Sequence, residues 1–132
     1  MATIRREFTL QSSPERVWDA LRDVGALHTR LVRGFVTDTR VETGERVVTF
    51  ANGMVARERI VDIDDDACRI AWSIVGSPRI DHHNASVQVS GQDGRTRATW
   101  IVDVLPDAVA ADVAQMVDDA IAAMQRTFAA GG

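Results

Sequence analysis

The sequence predicts an α+β domain in which a curved antiparallel sheet packs around a long C-terminal helix. Residues 35–105 alternate between apolar and polar side chains and are divided by short turn sequences, as expected for strands joined by hairpins. An apolar stripe at helical spacing follows from Val109 to Phe128. A wide sheet covered by one long helix leaves space between the two layers, and a small ligand can bind there.

A strand and a helical region precede the sheet-forming segment. Residues 4–10 favour a strand, and Ser13, Pro14 and Glu15 form a helix start with a hydroxyl cap, an early proline and an early carboxylate. Gly25 favours a break in this helical region. Residues 35–105 then predict five or six strands, with turns that include Asn52-Gly53 and Asp93-Gly94.

Composition narrows the classes of function. The 132 residues fit one domain, residues 1–132, and the net charge is −4 with no cluster of basic residues, which argues against a nucleic-acid partner. All 15 basic residues are Arg and none is Lys, which suggests a GC-rich bacterial source. No His or Cys cluster and no nucleotide-binding motif is present, so we expect neither a metal nor a cofactor.

Targeting signals are also missing from the sequence. The first residues carry no apolar signal-peptide core, and no run of about 18 apolar residues predicts a membrane span. A cytoplasmic protein, either a monomer or a homodimer, is therefore the expectation.

Several motifs resemble the START-like polyketide cyclase/dehydrase superfamily, known as SRPBCC. They are residues 13–18, Ser-Pro-Glu-Arg-Val-Trp; residues 57–60, Arg-Glu-Arg-Ile; residues 94–96 followed by Trp100; and the closing helix. The resemblance implies the helix-grip fold, with seven antiparallel strands wrapped around the C-terminal helix and two short helices after the first strand. It also implies a START-like domain that binds lipid- or polyketide-like molecules.

The segment from Glu58 to Ser86 is similar to plant abscisic-acid receptors. The similarity implies that Glu58 is a pocket carboxylate, Trp72 a pocket aromatic, and Asn84 and Ser86 pocket polar residues. The receptors' ligand-binding lysine has no counterpart here, because the chain contains no Lys. The hormone itself is therefore not the expected ligand.

The parity of residues 54–63 predicts that Glu58 points inward. Arg57 and Arg59 share the opposite face, and unpaired charges favour the solvent side of a sheet. A two-residue turn at Asn52-Gly53 places Val47 opposite Glu58, and a three-residue turn at 64–66 places Trp72 on its other side. Val47, Glu58 and Trp72 are therefore predicted to form an inner row.

The next strand has two possible orientations. A two-residue turn at Asp93-Gly94 turns Val87 inward, whereas a three-residue turn turns the polar row of residues 82, 84, 86 and 88 inward. The resemblance favours the second, which places His82, Asn84, Ser86 and Gln88 toward the cavity.

The main hypothesis is a binding protein for a small hydrophobic or aromatic ligand. The predicted ligand-binding residues are Phe35, Val47, Glu58, Trp72, Ile74, His82, Asn84, Ser86, Trp100, Val113, Met116 and Val117. An alternative is a cyclase or dehydratase that uses Glu58 or His82 as an acid or base. A second alternative is a regulatory interaction module whose cavity is filled by Trp72 and Trp100.

Overall fold

The computed structural model describes residues 1–129 and contains a seven-stranded sheet and two α-helices. The strands are β1 (Ala2–Leu10), β2 (Val36–Glu42), β3 (Glu45–Phe50), β4 (Val55–Asp64), β5 (Arg69–Val75), β6 (His82–Gln92) and β7 (Arg95–Leu105). The helices are α1 (Pro14–Arg22) and α2 (Ala110–Thr127), with a π-helical turn at Leu27–Leu31 and a 3-10 turn at Asp107–Val109.

The sheet order is β1-β7-β6-β5-β4-β3-β2, and every pairing is antiparallel. Strands β2 to β7 form a continuous meander, and β1 pairs with β7 at the far edge. Helix α1 and the π-helical turn carry the chain from the β1 edge to the β2 edge. The predicted α+β helix-grip fold is confirmed.

Helix α1 begins as the sequence predicts. The Ser13 side chain accepts a hydrogen bond from the backbone N–H of Arg16 at 3.3 Å, and Pro14 occupies the first turn. Trp18 is buried, and its indole N–H donates to Asp65 in the β4–β5 turn at 3.0 Å. This bond fixes α1 against the end of the sheet.

Helix α2 covers the inner face of the sheet. Val113, Val117, Ala120 and Met124 are buried at helical spacing and belong to the same hydrophobic core as the inward residues of the strands. No helix within residues 1–129 is long and apolar enough to cross a membrane.

The β3–β4 turn sets a different register from the predicted one. The Phe50 N–H donates to the Met54 carbonyl at 2.8 Å, so the turn contains Ala51, Asn52 and Gly53, the last at a φ of +90°. The extra turn residue pairs Arg46 with Glu58 and Val47 with Arg57. The prediction that Val47 lies beside Glu58 on the inner face is wrong, since Val47 shares the outer face with Arg57.

A bulge shifts the β4–β5 pairing. Ile60 pairs with Trp72 and Asp62 with Ala71, which leaves Val61 as the extra residue. Trp72 lies on the predicted inner face, but Glu58 pairs with Ile74 instead. The predicted direct pairing of Glu58 with Trp72 is wrong by two residues, because Asp64 pairs with Arg69 across a four-residue turn and the bulge moves the register back by only one residue.

The β6–β7 turn decides which face of β6 is inward. Gln92 pairs with Arg95, so the turn has only two central residues, Asp93 and Gly94, both at positive φ as in a type I′ hairpin. Val87 consequently pairs with Trp100 and faces the cavity.

The polar row of β6 lies on the opposite face from the cavity. These residues are His82, Asn84, Ser86 and Gln88, whereas the cavity is lined by His83, Ala85 and Val87. The prediction that the polar row faces the cavity is wrong, because Asp93 adopts the left-handed conformation and keeps the turn at two residues.

Candidate ligand-binding cavity

An apolar cavity of about 100 Å³ lies between α2 and the inner face of the sheet. Strands β3 to β7 contribute side chains such as Val48, Ile70 and Val102, and α2 contributes Val117 and Met124. A site bounded by a packed helix and a paired sheet holds its shape well, because both layers are fixed by backbone hydrogen bonds.

Aromatic rings form two walls of this cavity. Trp72 and Trp100 pack edge to face, with ring centroids 5.6 Å apart and an interplanar angle of 68°. Phe35 and Phe50 make a similar edge contact at 5.3 Å. Flat ring surfaces of this kind suit an aromatic or apolar ligand.

A second cavity, of about 250 Å³, lies beside the β3–β4 turn and shares three lining residues with the first. Phe35, Phe50 and Met116 border both cavities, whereas Met54 and Asp119 border only the second. Met54 is also exposed to solvent. The shared residues therefore mark the boundary between the internal cavity, which lies between α2 and the sheet, and the second cavity.

A buried ion pair forms the polar part of the internal cavity. Nε of Arg46 donates to Oε1 of Glu58 at 2.8 Å, and the two residues are only 3% and 7% exposed. The Arg46 guanidinium carbon also lies 5.5 Å from the ring centroid of Trp72, within cation–π range. Burial of two charges costs several kcal/mol of desolvation free energy for each, about as much as a close pair can return.

Two hydrogen-bond donors of residues that line the cavity have no partner within residues 1–129. Within the part of the chain that the structure describes, Arg46 Nη1 and Trp100 Nε1 are buried and have no hydrogen-bond partner. Both residues line the internal cavity. Unpaired buried donors are rare and costly, so two in one cavity call for a partner from outside the protein.

His83 is the third polar group that lines the cavity. Its Nδ1 accepts a hydrogen bond from the Ile74 N–H at 3.1 Å, and its carbonyl accepts one from the Ser73 hydroxyl. Burial lowers the pKa of His83 to about 4, and the nearby charge of His82 contributes in the same direction. His83 is thus neutral at pH 7 and carries its proton on Nε2, which makes it a further donor.

Most of the predicted site residues come together around this cavity. They are Phe35, Glu58, Trp72, Ile74, Trp100, Val113, Met116 and Val117. Val47, His82, Asn84 and Ser86 do not line it, as the hairpin registers require.

Sequence reasoning missed Arg46 and His83. Arg46 shares its strand face with Val48 and Phe50, and this more apolar face of β3 was the available signal. For His83 the signal was the apolar parity of Ala85, Val87 and Val89 on β6.

Solved structures share this fold at low sequence identity. An uncharacterised protein from Bacillus thuringiensis has a TM-score of 0.82 at 19% identity, with 96% of this chain and 98% of that chain covered. The protein XoxI from Bacillus cereus has a TM-score of 0.82 at 20% identity, over 97% and 96% of the two chains. Ginseng major latex-like protein 151 from Panax ginseng has a TM-score of 0.74 at 13% identity, over 97% of each chain.

The sequence matches a protein family although it matches no individual curated protein. No curated protein matches the chain significantly. Residues 1–131 match the family described as "Polyketide cyclase / dehydrase and lipid transport". The chain therefore belongs to this family, within the SRPBCC superfamily that its motifs resemble.

Proposed function

We propose that this protein binds a small hydrophobic or aromatic molecule in the cavity between α2 and the sheet. The observation that carries the proposal is the apolar cavity of about 100 Å³, walled by Trp72 and Trp100. An engineered apolar cavity of about 150 Å³ in another protein binds benzene, so this smaller cavity suits a ligand portion no larger than one ring. A longer ligand extends past Phe35 and Met116 into the second cavity.

The lining residues make different contributions to ligand binding. Trp72 and Trp100 offer ring surfaces, and Val113, Met116 and Val117 of α2 close the opposite side. Methionine adapts its shape easily, which suits Met116 at the boundary of the two cavities. Binding would remove apolar ligand surface from water, the main source of affinity in such sites.

Two other functions have less support. Catalysis by Glu58 or His82 is disfavoured because Glu58 is bonded to Arg46 and His82 lies outside the cavity. A filled interaction module is disfavoured because space remains beside the Trp72–Trp100 contact. Ligand binding, in contrast, makes use of the cavity that lies between α2 and the sheet.

A matched pair of substitutions tests the proposal. Val48 lines the cavity and Val47, its neighbour on β3, faces outward, so Val48→Phe fills the site and Val47→Phe adds the same volume outside it. Binding of cumene, a one-ring hydrocarbon, is followed by NMR titration and by the shift in Tm. We expect the parent protein and Val47→Phe to bind cumene and Val48→Phe to lose at least about tenfold in affinity.

Native mass spectrometry of the purified protein adds a search for a co-purified ligand. The absence of any bound species, together with no Tm shift from cumene or other small hydrophobic compounds, would contradict the proposal. Equal loss of cumene binding in both valine variants would also contradict it, because the effect would then not depend on the cavity.

A further inference from the structure

The unsatisfied polar atoms of the cavity are hydrogen-bond donors. Arg46 Nη1 belongs to a residue that is 3% exposed, and it has no partner within residues 1–129. Trp100 Nε1 is in the same condition, and the His83 Nε2–H is a third donor on the cavity wall. A ligand that satisfies this set must bring acceptor atoms.

The charge of the cavity limits the kind of acceptor. Glu58 already neutralises Arg46, with 2.8 Å between their bonded atoms, and His83 is uncharged at pH 7. A carboxylate placed here would be a second anion beside Glu58 in apolar surroundings, and like charges at close range are costly there. A neutral oxygen, in contrast, accepts a hydrogen bond from Arg46 without adding charge.

We infer that the ligand carries a neutral acceptor oxygen, such as a ketone, aldehyde or ester carbonyl, that binds Nη1 of Arg46. This inference rests on the proposed function and names the ligand class of the same cavity. Arg46 is then a specificity-determining residue, and Glu58 sets the specificity by cancelling its charge. The ring of the ligand lies against Trp72 and Trp100.

Three one-ring compounds of similar shape distinguish the effect of an acceptor oxygen on binding from the effect of its charge. Cumene has no hydrogen-bond acceptor, acetophenone has a neutral carbonyl oxygen in place of one methyl group, and benzoate has a carboxylate. Their dissociation constants are measured by NMR titration for the parent protein and for the double variant Arg46→Met/Glu58→Leu. Removal of both members of a buried ion pair is often tolerated by the fold, which keeps the double variant usable.

We expect the affinity ratio of acetophenone to cumene to fall about tenfold in the double variant, since a hydrogen bond to a charged donor is lost. The ratio cancels changes in cavity size, because the two compounds have nearly the same shape. An unchanged ratio, with cumene still bound, would overturn the inference and leave the proposed function standing. Failure of all three compounds to bind the parent protein would overturn both.

The single variant Glu58→Gln gives an independent test of the charge of the acceptor. This substitution leaves the Arg46 charge without its partner, so benzoate is expected to raise the Tm of Glu58→Gln more than acetophenone does. In the parent protein, we expect acetophenone to raise the Tm more than benzoate does. Tighter binding of benzoate than of acetophenone by the parent protein would overturn the inference, because the cavity would then accept an anion despite Glu58.

Discussion

The two faces of the β3–β4 hairpin carry the same kinds of charged residue in opposite surroundings. On the outer face, Nη1 of Arg57 donates to Glu42 at 2.6 Å and to Glu45 at 2.9 Å, and these side chains contact solvent. On the inner face, Arg46 and Glu58 pair at 2.8 Å and are almost completely buried. A shift of one residue along a strand therefore decides whether a charged side chain faces solvent or is buried.

The difference between the faces has energetic consequences. Water and salt screen the outer cluster, although the hydrogen bond from Arg57 still lowers the pKa of Glu42. The inner pair has lost most of its hydration, so each member depends on the other. The outer cluster is therefore solvated, whereas the inner pair forms part of the cavity wall.

Loss of one member of the inner pair is expected to have the largest effect on stability. Arg46→Met leaves the Glu58 charge buried without its partner, and it should lower the free energy of unfolding by about 3–5 kcal/mol. Urea denaturation measures this change. The double variant Arg46→Met/Glu58→Leu should recover most of the loss, because no buried charge remains.

A loss in the double variant as large as in Arg46→Met would contradict this account. It would mean that packing of the Arg46 side chain against Trp72, and not the uncompensated charge, dominates the effect.

A smaller effect is expected from acid, through His83. Its pKa is about 4 in the folded protein against 6.5 normally, so below about pH 6.5 the unfolded state binds more protons at this site. Stability should therefore fall as the pH drops from about 6.5 to about 4, by up to about 3 kcal/mol from this residue.

Comparison of the parent protein with His83→Asn isolates this contribution. The asparagine oxygen can still accept the Ile74 N–H, but it does not titrate. Urea denaturation across this pH range should show a shallower acid slope for His83→Asn, whereas the exposed neighbour variant His82→Asn should keep most of the parent slope. Identical slopes for the parent protein and His83→Asn would rule out a buried neutral His83.

The smallest effect is expected on the outer face. Arg57→Met replaces the same residue type as Arg46→Met in the same hairpin, but water solvates the remaining carboxylates of Glu42 and Glu45. Its urea midpoint should lie close to that of the parent protein, and the difference should shrink further in high salt. A midpoint shift as large as that of Arg46→Met would remove the distinction between the two faces.

The element order could be predicted from the sequence, but the registers could not. The Ser13 cap, the inward Glu58 and the α2 stripe follow from local pattern, and the structure agrees with each. Turn length depends on whether the residue before the glycine adopts the left-handed conformation, as Asp93 does before Gly94 and Asn52 does not before Gly53. One residue more or less at these turns exchanges the two faces of a strand.

Those turns account for the errors about the site. The extra turn residue, Ala51, put Arg46 where Val47 was predicted, and the short turn at Asp93 put His83 where His82 was predicted. Bulges have a weaker sequence signal still, as at Val61, where an exposed apolar residue marks the shift. The apolar wall was predictable, but its polar groups depended on register.

The most direct test of the cavity is a crystal structure of the protein grown with bromobenzene, with the bromine located by anomalous scattering. We expect one strong bromine peak between α2 and the inner face, in contact with Trp72 and Trp100 and within the cavity that Val48 lines. A peak on the outer face beside Val47, or no peak together with side chains closed across the cavity, would contradict it.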